Sequence, residues 1–461
     1  MSLKHTHSVL FTALVLATAP IHAGDNNLVN LGGAIYQDLN LSLNQNQSCA
    51  TCHQQSAGFA DPENRISPHL LPVSDGSDPT LFGGRNAPTA AYAGFSPVFH
   101  HDGDLFVGGL FWDGRATGRM DVTATGDLGD GPTGDPLADQ AKGPFGNPVE
   151  MALTLENTGV STEEAVIAII QASDYADKFE KVFGPNAFAD VDVAYNNASI
   201  AIAAFERSDK VTQFSSKFDK FVAEQGGDIS TFGVEIENDG FRRYVGPPAD
   251  FKSKVYKYDE ADGLAIFNAD SYTQMGSTPL GDNGAMCYLC HLTENHVVAV
   301  DDPNNPTNGP APGTYNPLLT DFTYDNLGIP VNLQIAVLAG PQGIDLGLGA
   351  QTAQLAAACP VCDPAEEEGK FKVSSLRNLP RTAPYGHNGY FSSISEIVHF
   401  YNTRDVKAVC DTSVSAQGAI AEGCWPAPEV PETVNTDELG NLGLTLEQEM
   451  KLVLFLETLE D

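Results

Sequence analysis

The sequence predicts a mainly α-helical chain built as two successive units with long loop insertions, and three observations predict it. Glu163 to Phe183, Asp192 to Phe205 and Thr445 to Leu459 carry apolar residues near helical spacing. One motif, Cys-x-x-Cys-His, occurs twice, each copy followed by helical stretches. That reads as a coarse duplication with a boundary near Gly226 to Asp228. The stretches between are rich in Gly, Pro, Asn and Asp, so Asp127 to Pro136 and Asp301 to Pro317 read as surface loops.

Taken in order, the chain opens with Lys4, an apolar run from Val9 to Ala19, and Ile21-His22-Ala23. The run is too short to span a bilayer, so residues 1–23 read as a secretory signal. No later run reaches the length of a membrane span, so the mature chain is expected to be soluble, in an oxidising exported compartment: the periplasm or cell surface of a Gram-negative bacterium. In Glu163 to Phe183 the stripe is Ile170, Tyr175, Phe179, Val182 and Phe183, stopped by Gly184-Pro185. The last helix carries Thr445 and Gln448 as a capping box. Its stripe of Leu446, Met450, Val453 and Leu454 is expected to face the core.

Composition narrows the function. Sixty Asp and Glu against 24 Lys and Arg give a formal charge of −36 over 461 residues. Loss of Lys4 with residues 1–23 takes −36 to −37. Such a balance argues against nucleic-acid binding, which needs a basic footprint, and against anionic membrane surfaces. A hydrophobic content of 42% argues against wholesale disorder.

The cysteines carry the chemistry. Cys49-Ala50-Thr51-Cys52-His53 and Cys287-Tyr288-Leu289-Cys290-His291 are the two motifs. Two thiols three positions apart on one turn can each bond a haem vinyl group, and the adjacent imidazole then reaches the iron. Two covalent c-type haems are therefore expected. The other readings are a zinc half-site, for which Cys359-Pro360-Val361-Cys362 could supply further ligands, or a disulfide. Cys359, Cys362, Cys410 and Cys424 suit disulfides in any of three connectivities, or a redox-active Cys359–Cys362 pair.

An ordered series of motifs then resembles the bacterial dihaem cytochrome c peroxidase family, including its MauG-like branch. The series is Gly84 to Thr89, Phe111 to Arg115, Gln140 to Pro144, Asn147 to Met151, Ala203 to Arg207, Phe371 to Val373, Leu376 to Asn378, and Thr382 to Gly389. The resemblance runs over residues 45 to 459. It implies two cytochrome c-like α-helical domains, one haem each: residues 24–225 with the peroxide-reacting haem and 226–461 with the electron-transfer haem.

The resemblance also implies roles. His53 would hold the first haem and His291 the second. Trp112 would relay electrons between them. Gln140, Pro144 and Glu150 would line the open face of the first haem, where a carboxyl can move a proton between the peroxide oxygens. Asn86 with Thr382 and Pro384 would form an interhaem calcium site of hard oxygen donors. The family's peroxidases place a Met ligand fourteen residues after the His of the Tyr-x-His-x-Gly motif, whereas the MauG-like branch has Tyr. Counting from His387 reaches Tyr401. A phenolate donor stabilises ferric and higher iron, so the second haem is expected to be hard to reduce. His399 and Met450 are the rival ligands.

Many of the peroxidases also carry a blocking His shortly before the Arg-Asn-x-Pro-Thr motif. Ser77 to Gly84 contains none, and the nearest upstream is His69, so the first haem is expected to be open to peroxide. His100 and His101 are expected on a surface turn. Two insertions, 116–139 and 292–369, depart from the family pattern. The Trp that passes charge to a protein substrate in MauG-like enzymes is replaced by Ala285; the only other Trp is Trp425, and Tyr256, Tyr258 and Tyr288 are the remaining relay candidates. The expectation is an enzyme that reacts with hydrogen peroxide and oxidises a Trp or Tyr of a partner protein. The alternatives are a peroxidase fed by a small cytochrome or copper protein, and a dihaem electron carrier.

Overall fold

The computed structural model describes residues 26–120, 133–276, 282–299 and 309–461. The expected secretory signal, much of the 127–136 loop and part of the 301–317 loop lie outside them. Helices dominate; strands occur among the described residues only as two-stranded pieces of two or three residues per strand.

The helices start where side chains replace missing backbone acceptors. Helix α1 is Asn26–Tyr36, and α2, Cys49–Cys52, carries the first motif. Helix α3, Pro136–Gly146, is capped by Asp135, whose carboxylate accepts from the Leu137 N–H, with Pro at the position where no donor is missed. Ser161 and Glu164 form a capping box on α4, Thr162–Ala172. The single helix expected over Glu163 to Phe183 is instead two: α5, Ala176–Phe183, follows a break. Ser173 causes it, its hydroxyl donating to the Ile170 carbonyl and accepting from the Tyr175 N–H, a local alternative to the helical ladder. Helix α6, Val191–Glu206, matches the second expected segment, and Asp190 caps it.

Two apolar clusters form most of the core. The first joins α1, α4, α5 and α6, with Leu31, Ile35, Val166, Ile170, Phe179 and Ile202 fully buried. The second joins α7 (Lys217–Glu224), α8 (Tyr258–Asn268) and two later helices, Ile394–Thr403 and Leu446–Leu456. Phe218, Phe221 and Val222 of α7 belong to the second cluster, ahead of the expected boundary at Gly226. The same packing recurs in both halves. A Cβ on Gly32 of α1 would lie 1.8 Å from the Ala201 carbonyl oxygen of α6. A Cβ on Gly263 of α8 would lie 2.0 Å from the Lys451 carbonyl oxygen of the last helix. In each case only glycine lets the two backbones touch.

The 292–369 segment contributes α9, Leu333–Ala339, and α10, Thr352–Ala358. It buries Tyr324, Leu348, Leu355 and Cys359 against Phe99 and Phe106 of the first half. Helix α11 is Ile394–Thr403, and α12 is Leu446–Leu456, whose capping box of Thr445 and Gln448 forms as expected. The stripe assigned to its core face is a correction. Leu446, Met450 and Leu454 are exposed, and Leu452, Phe455, Leu456 and Leu459 face inward instead. The helix is apolar on more than one side, and spacing alone cannot say which side meets the core.

Arg377 pins the halves together. Its Nη1 lies 2.7 Å from Asp219 Oδ2, its Nε and Nη2 donate to the Pro317 carbonyl, and its guanidinium lies over Tyr92, Phe214 and Phe218. The remaining cysteines close as Cys359–Cys362 and Cys410–Cys424.

Candidate functional site

Each motif sits on one short turn at the edge of a cavity. At the first, the His53 N–H closes the turn on the Cys49 carbonyl, and His53 Nδ1 lies 3.1 Å from the Phe59 carbonyl oxygen. At the second, the His291 N–H bonds the Cys287 carbonyl, and His291 Nδ1 lies 2.9 Å from the Leu319 carbonyl oxygen. A carbonyl at Nδ1 fixes the proton there and leaves Nε2 as the basic nitrogen, the usual arrangement of a metal-bound imidazole. Burial lowers both histidines from their ordinary value, which favours the neutral ring. The four motif thiols are unpaired, and burial pushes Cys49 and Cys287 up to about 12. Two thiols on one turn beside an imidazole suit thioether attachment of a haem. The third C-x-x-C is closed on itself, so it supplies no zinc ligands.

The first cavity, about 770 Å³, is lined by Cys49, Cys52 and His53, and also by Gln140, Pro144 and Glu150. Pro144 stands inside α3 and has no N–H to give the Gln140 carbonyl four residues earlier, so the helix loosens beside the cavity. Asn147 caps the end of α3, and its Nδ2 donates to Glu150 Oε1 at 2.9 Å, which aims the carboxylate. The second cavity, about 220 Å³, is lined by Cys287, Cys290, His291, Tyr401, Thr382 and Pro384. Trp112 and Asn86 line both. Trp112 is held at two points: its Nε1–H donates to the Asn86 carbonyl at 2.8 Å, and its own carbonyl accepts from the Lys372 N–H at 2.9 Å. Asn86 Nδ2 donates to the Pro384 carbonyl at 2.7 Å. Arg85 grips Asp345 through Nε and Nη2 and Asp113 through Nη1, fixing the turn that follows Trp112.

On α11, Ile397, Val398 and Tyr401 share the face that lines the second cavity. Burial raises the Tyr401 phenol well above its usual range, so it holds its proton until a cation faces the oxygen. The rivals point elsewhere. His399 Nδ1 lies 3.0 Å from Glu449 Oε1, and Met450 is exposed on α12.

Apart from Ala285, the remaining candidates lie off the cavities. His69 Nδ1 is 2.6 Å from Ser392 Oγ. His100 and His101 form one strand of a hairpin with Phe106–Val107, half-buried and not on a surface turn. Ala285 lines the second cavity. Trp425 is buried among Phe391, Phe400 and His399. Tyr288 bonds Asp270, Tyr256 stacks on Phe221, and Tyr258 is exposed.

Three further titratable groups line the cavities, two of them buried, and the sequence alone gives them no role. Glu206 lines the first cavity with Oε2 unbonded; burial pushes it up to about 8, so it is neutral at pH 7. Lys372 lines both cavities and donates Nζ to the Gly108 and Phe322 carbonyls; burial pulls it down to about 7. His387 lines both, stacks 3.5 Å on Phe371, and has no hydrogen bond at either ring nitrogen. All three stood inside the motif strings, and a buried charge type within a motif was the signal.

The chain is similar to known proteins over nearly its whole length. The family model for di-haem cytochrome c peroxidase matches residues 26–227. The methylamine utilization protein MauG of Paracoccus denitrificans is 31% identical over 447 residues, which cover 95% of this chain and 89% of that protein. The cytochrome c551 peroxidase of Nitrosomonas europaea is 24% identical over 81% of this chain and 72% of its own length. The crystal structure of the diheme peroxidase BthA from Burkholderia thailandensis superposes with a TM-score of 0.64 at 25% identity, covering 95% of this chain and 86% of that one.

Proposed function

The chain belongs to the di-haem cytochrome c peroxidase family, and from that premise we propose an exported enzyme that takes hydrogen peroxide at the first site and oxidises a Trp or Tyr of a partner protein in the MauG-like manner. It is a dihaem peroxidase or oxidase with two c-type haems, and not merely a carrier. The branch, the protein substrate, the export signal in residues 1–23 and the two cytochrome c-like domains, 24–225 and 226–461, are our reading. No helix among the described residues is long and apolar enough to cross a membrane. The observation that carries the branch is Tyr401 on the wall beside Cys287, Cys290 and His291, with His399 turned to Glu449 and Met450 exposed.

Cys49, Cys52 and His53 would hold one haem, which would supply the peroxide chemistry, and Cys287, Cys290 and His291 would hold a second, which would supply further redox capacity. The polypeptide does the rest. Phe59 orients His53 through Nδ1. Glu150, aimed by Asn147, moves a proton between the peroxide oxygens, with Gln140 beside it and Pro144 as apolar wall. Trp112, fixed between Asn86 and Lys372, is the oxidisable group shared by the two cavities. Tyr401 gives up its proton only where positive charge meets the phenol oxygen.

Calcium fits the same wall. Asn86 and the Thr382 and Pro384 carbonyls line the second cavity; a half-turn of the Asn86 amide replaces Nδ2 by Oδ1 and makes an all-oxygen donor set. A chelator of calcium should then slow the peroxide reaction, and added calcium should restore it.

The deciding experiment adds peroxide to the fully ferric protein and follows both irons by Mössbauer and EPR spectroscopy. Oxidation of both without prior reduction supports the MauG-like reading. Reaction only after one-electron reduction sinks it and leaves the peroxidase fed by a small cytochrome or copper protein, the reading favoured by the relatives named cytochrome c551 peroxidase.

A further inference from the structure

We propose that the Cys359–Cys362 disulfide, with His101 beside it, is a reversible thiol–disulfide exchange site for a partner protein dithiol. It lies outside both cavities and is independent of the peroxide chemistry.

Four observations carry it. The two disulfides of the chain differ in span: Cys410–Cys424 closes 14 residues, Cys359–Cys362 only three. A staple across three residues constrains the unfolded chain least, so stability is its weakest justification. The turn it closes is presented to solvent through Val361, 93% exposed: Cys359 is buried in the cluster of Phe99, Phe106, Tyr324 and Leu355, whereas Cys362 is only half-buried at the edge of that cluster. An incoming thiol therefore reaches Cys362 more readily than Cys359. The fold also brings an imidazole to that accessible sulfur from 261 positions away, with His101 Nε2 at 3.7 Å from Cys362 Sγ. His101 Nδ1 accepts from the Gly103 N–H, so the neutral ring carries its hydrogen on Nε2, aimed at the sulfur. The ring is set edge-on against Phe106, which holds it there. By contrast, Cys424 Sγ has the carboxylate of Glu422 at 3.9 Å, a group that disfavours a thiolate.

The exchange balances. A partner thiolate attacks Cys362 Sγ, the Sγ–Sγ bond breaks, and Cys359 leaves as thiolate and takes a proton. The partner's second thiolate attacks its own sulfur in the mixed disulfide, and Cys362 leaves as a thiolate accepting the His101 Nε2–H hydrogen bond. Two electrons pass from the partner dithiol to the protein, one of the partner's two protons ends on Cys359 and the other in solvent, and the partner leaves as a disulfide. In reverse, the reduced Cys362 is the nucleophile.

The test uses the haem-loaded full chain, in which the motif cysteines are tied to haem, and glutathione as the thiol probe. Timed alkylation and peptide mass spectrometry follow each disulfide. Reduction of Cys359–Cys362 at least tenfold faster than Cys410–Cys424, with the glutathione adduct on Cys362, is expected. Equal rates, or an adduct on Cys359, overturn the proposal. In the reduced protein, His101→Phe, which keeps the ring packing, should slow attack of Cys362 on oxidised glutathione at least tenfold, and His101→Gln should do the same. Unchanged rates in both variants remove His101 from the site and overturn that part. Peroxide reactivity should be the same in wild type and both variants, so a failure here is distinguishable from a failure of the peroxidase reading.

Discussion

Replacing Arg377 by Leu should cost about 3–5 kcal/mol of stability, the range for breaking a buried pair by removing one partner. The Arg377 side chain is fully buried and Asp219 is nearly so. At 2.7 Å and an effective dielectric near 20, the pair attracts with about 6 kcal/mol, offset by several kcal/mol of desolvation for each ion. In Arg377→Leu the carboxylate stays buried, served only by Ser216 and Asn316, and the Pro317 carbonyl loses two donors. Urea denaturation of the haem-loaded protein, followed by far-UV circular dichroism at pH 7, measures the loss. Adding Asp219→Asn should recover part of it by removing the stranded charge. The pH dependence gives a second check. Burial alone would raise Asp219, but the Arg377 charge and hydrogen bonds outweigh it and hold the carboxyl below its ordinary value. A carboxyl depressed in the folded state stabilises above its unfolded pKa, near 4, and that stability is lost as pH falls through the folded value. Without Arg377 burial dominates and the sign reverses, so the variant should gain stability as pH falls from 7 towards 5. A loss under about 1 kcal/mol, or no reversal, refutes the idea that this buried ion pair supports the fold.

Tyr401→Phe should change the spectrum of the low-spin iron and raise the potential of the second site; an unchanged spectrum removes Tyr401 as a ligand. Glu206, raised to about 8, is neutral when folded and ionised when unfolded between about pH 4.5 and 8, so it subtracts stability progressively over that window. Glu206→Gln should therefore gain on the wild type as pH rises from 5 to 8 in paired denaturation curves, and parallel curves would show that Glu206 is charged. Gly32→Ala and Gly263→Ala should each cost more than about 2 kcal/mol despite the better helix propensity of Ala, because the added carbon lands on a backbone carbonyl. A neutral or stabilised variant would mean that the helices separate freely.

What was legible in the sequence was local. The Thr445–Gln448 capping box and the Cys-x-x-Cys-His turns are decided within five residues, and they form as read. The Ser173 break was missed because its competing bonds to Ile170 and Tyr175 are individually weak and compete with the ladder only in place. What depended on distant segments was not legible. The face of α12 that meets the core is decided by α8, whose Gly263 draws Lys451 inward and leaves Met450 outside. The pairing of four cysteines follows from where the 292–369 insertion seats Cys359, against Phe99 and Phe106. Glu206, Lys372 and His387 read as ordinary motif letters until the fold set them on the cavity walls, Glu206 and His387 buried and Lys372 half-buried.

One non-local feature did leave a trace. A glycine inside a helix costs about 1 kcal/mol against alanine, so its presence there asks for a packing reason. Gly32 and Gly263 each stand in the helix preceding a Cys-x-x-Cys-His motif, and each lets that helix touch the last helix of its half. The same pattern is therefore written twice, once in the Cys-x-x-Cys-His turns and once in the glycines that set the crossing of the helices behind them. The second inscription explains the first: with the crossing fixed by backbone contact, the short turn that follows has a rigid wall to be placed against, and the two histidines end with the same carbonyl-fixed tautomer although their supporting loops differ.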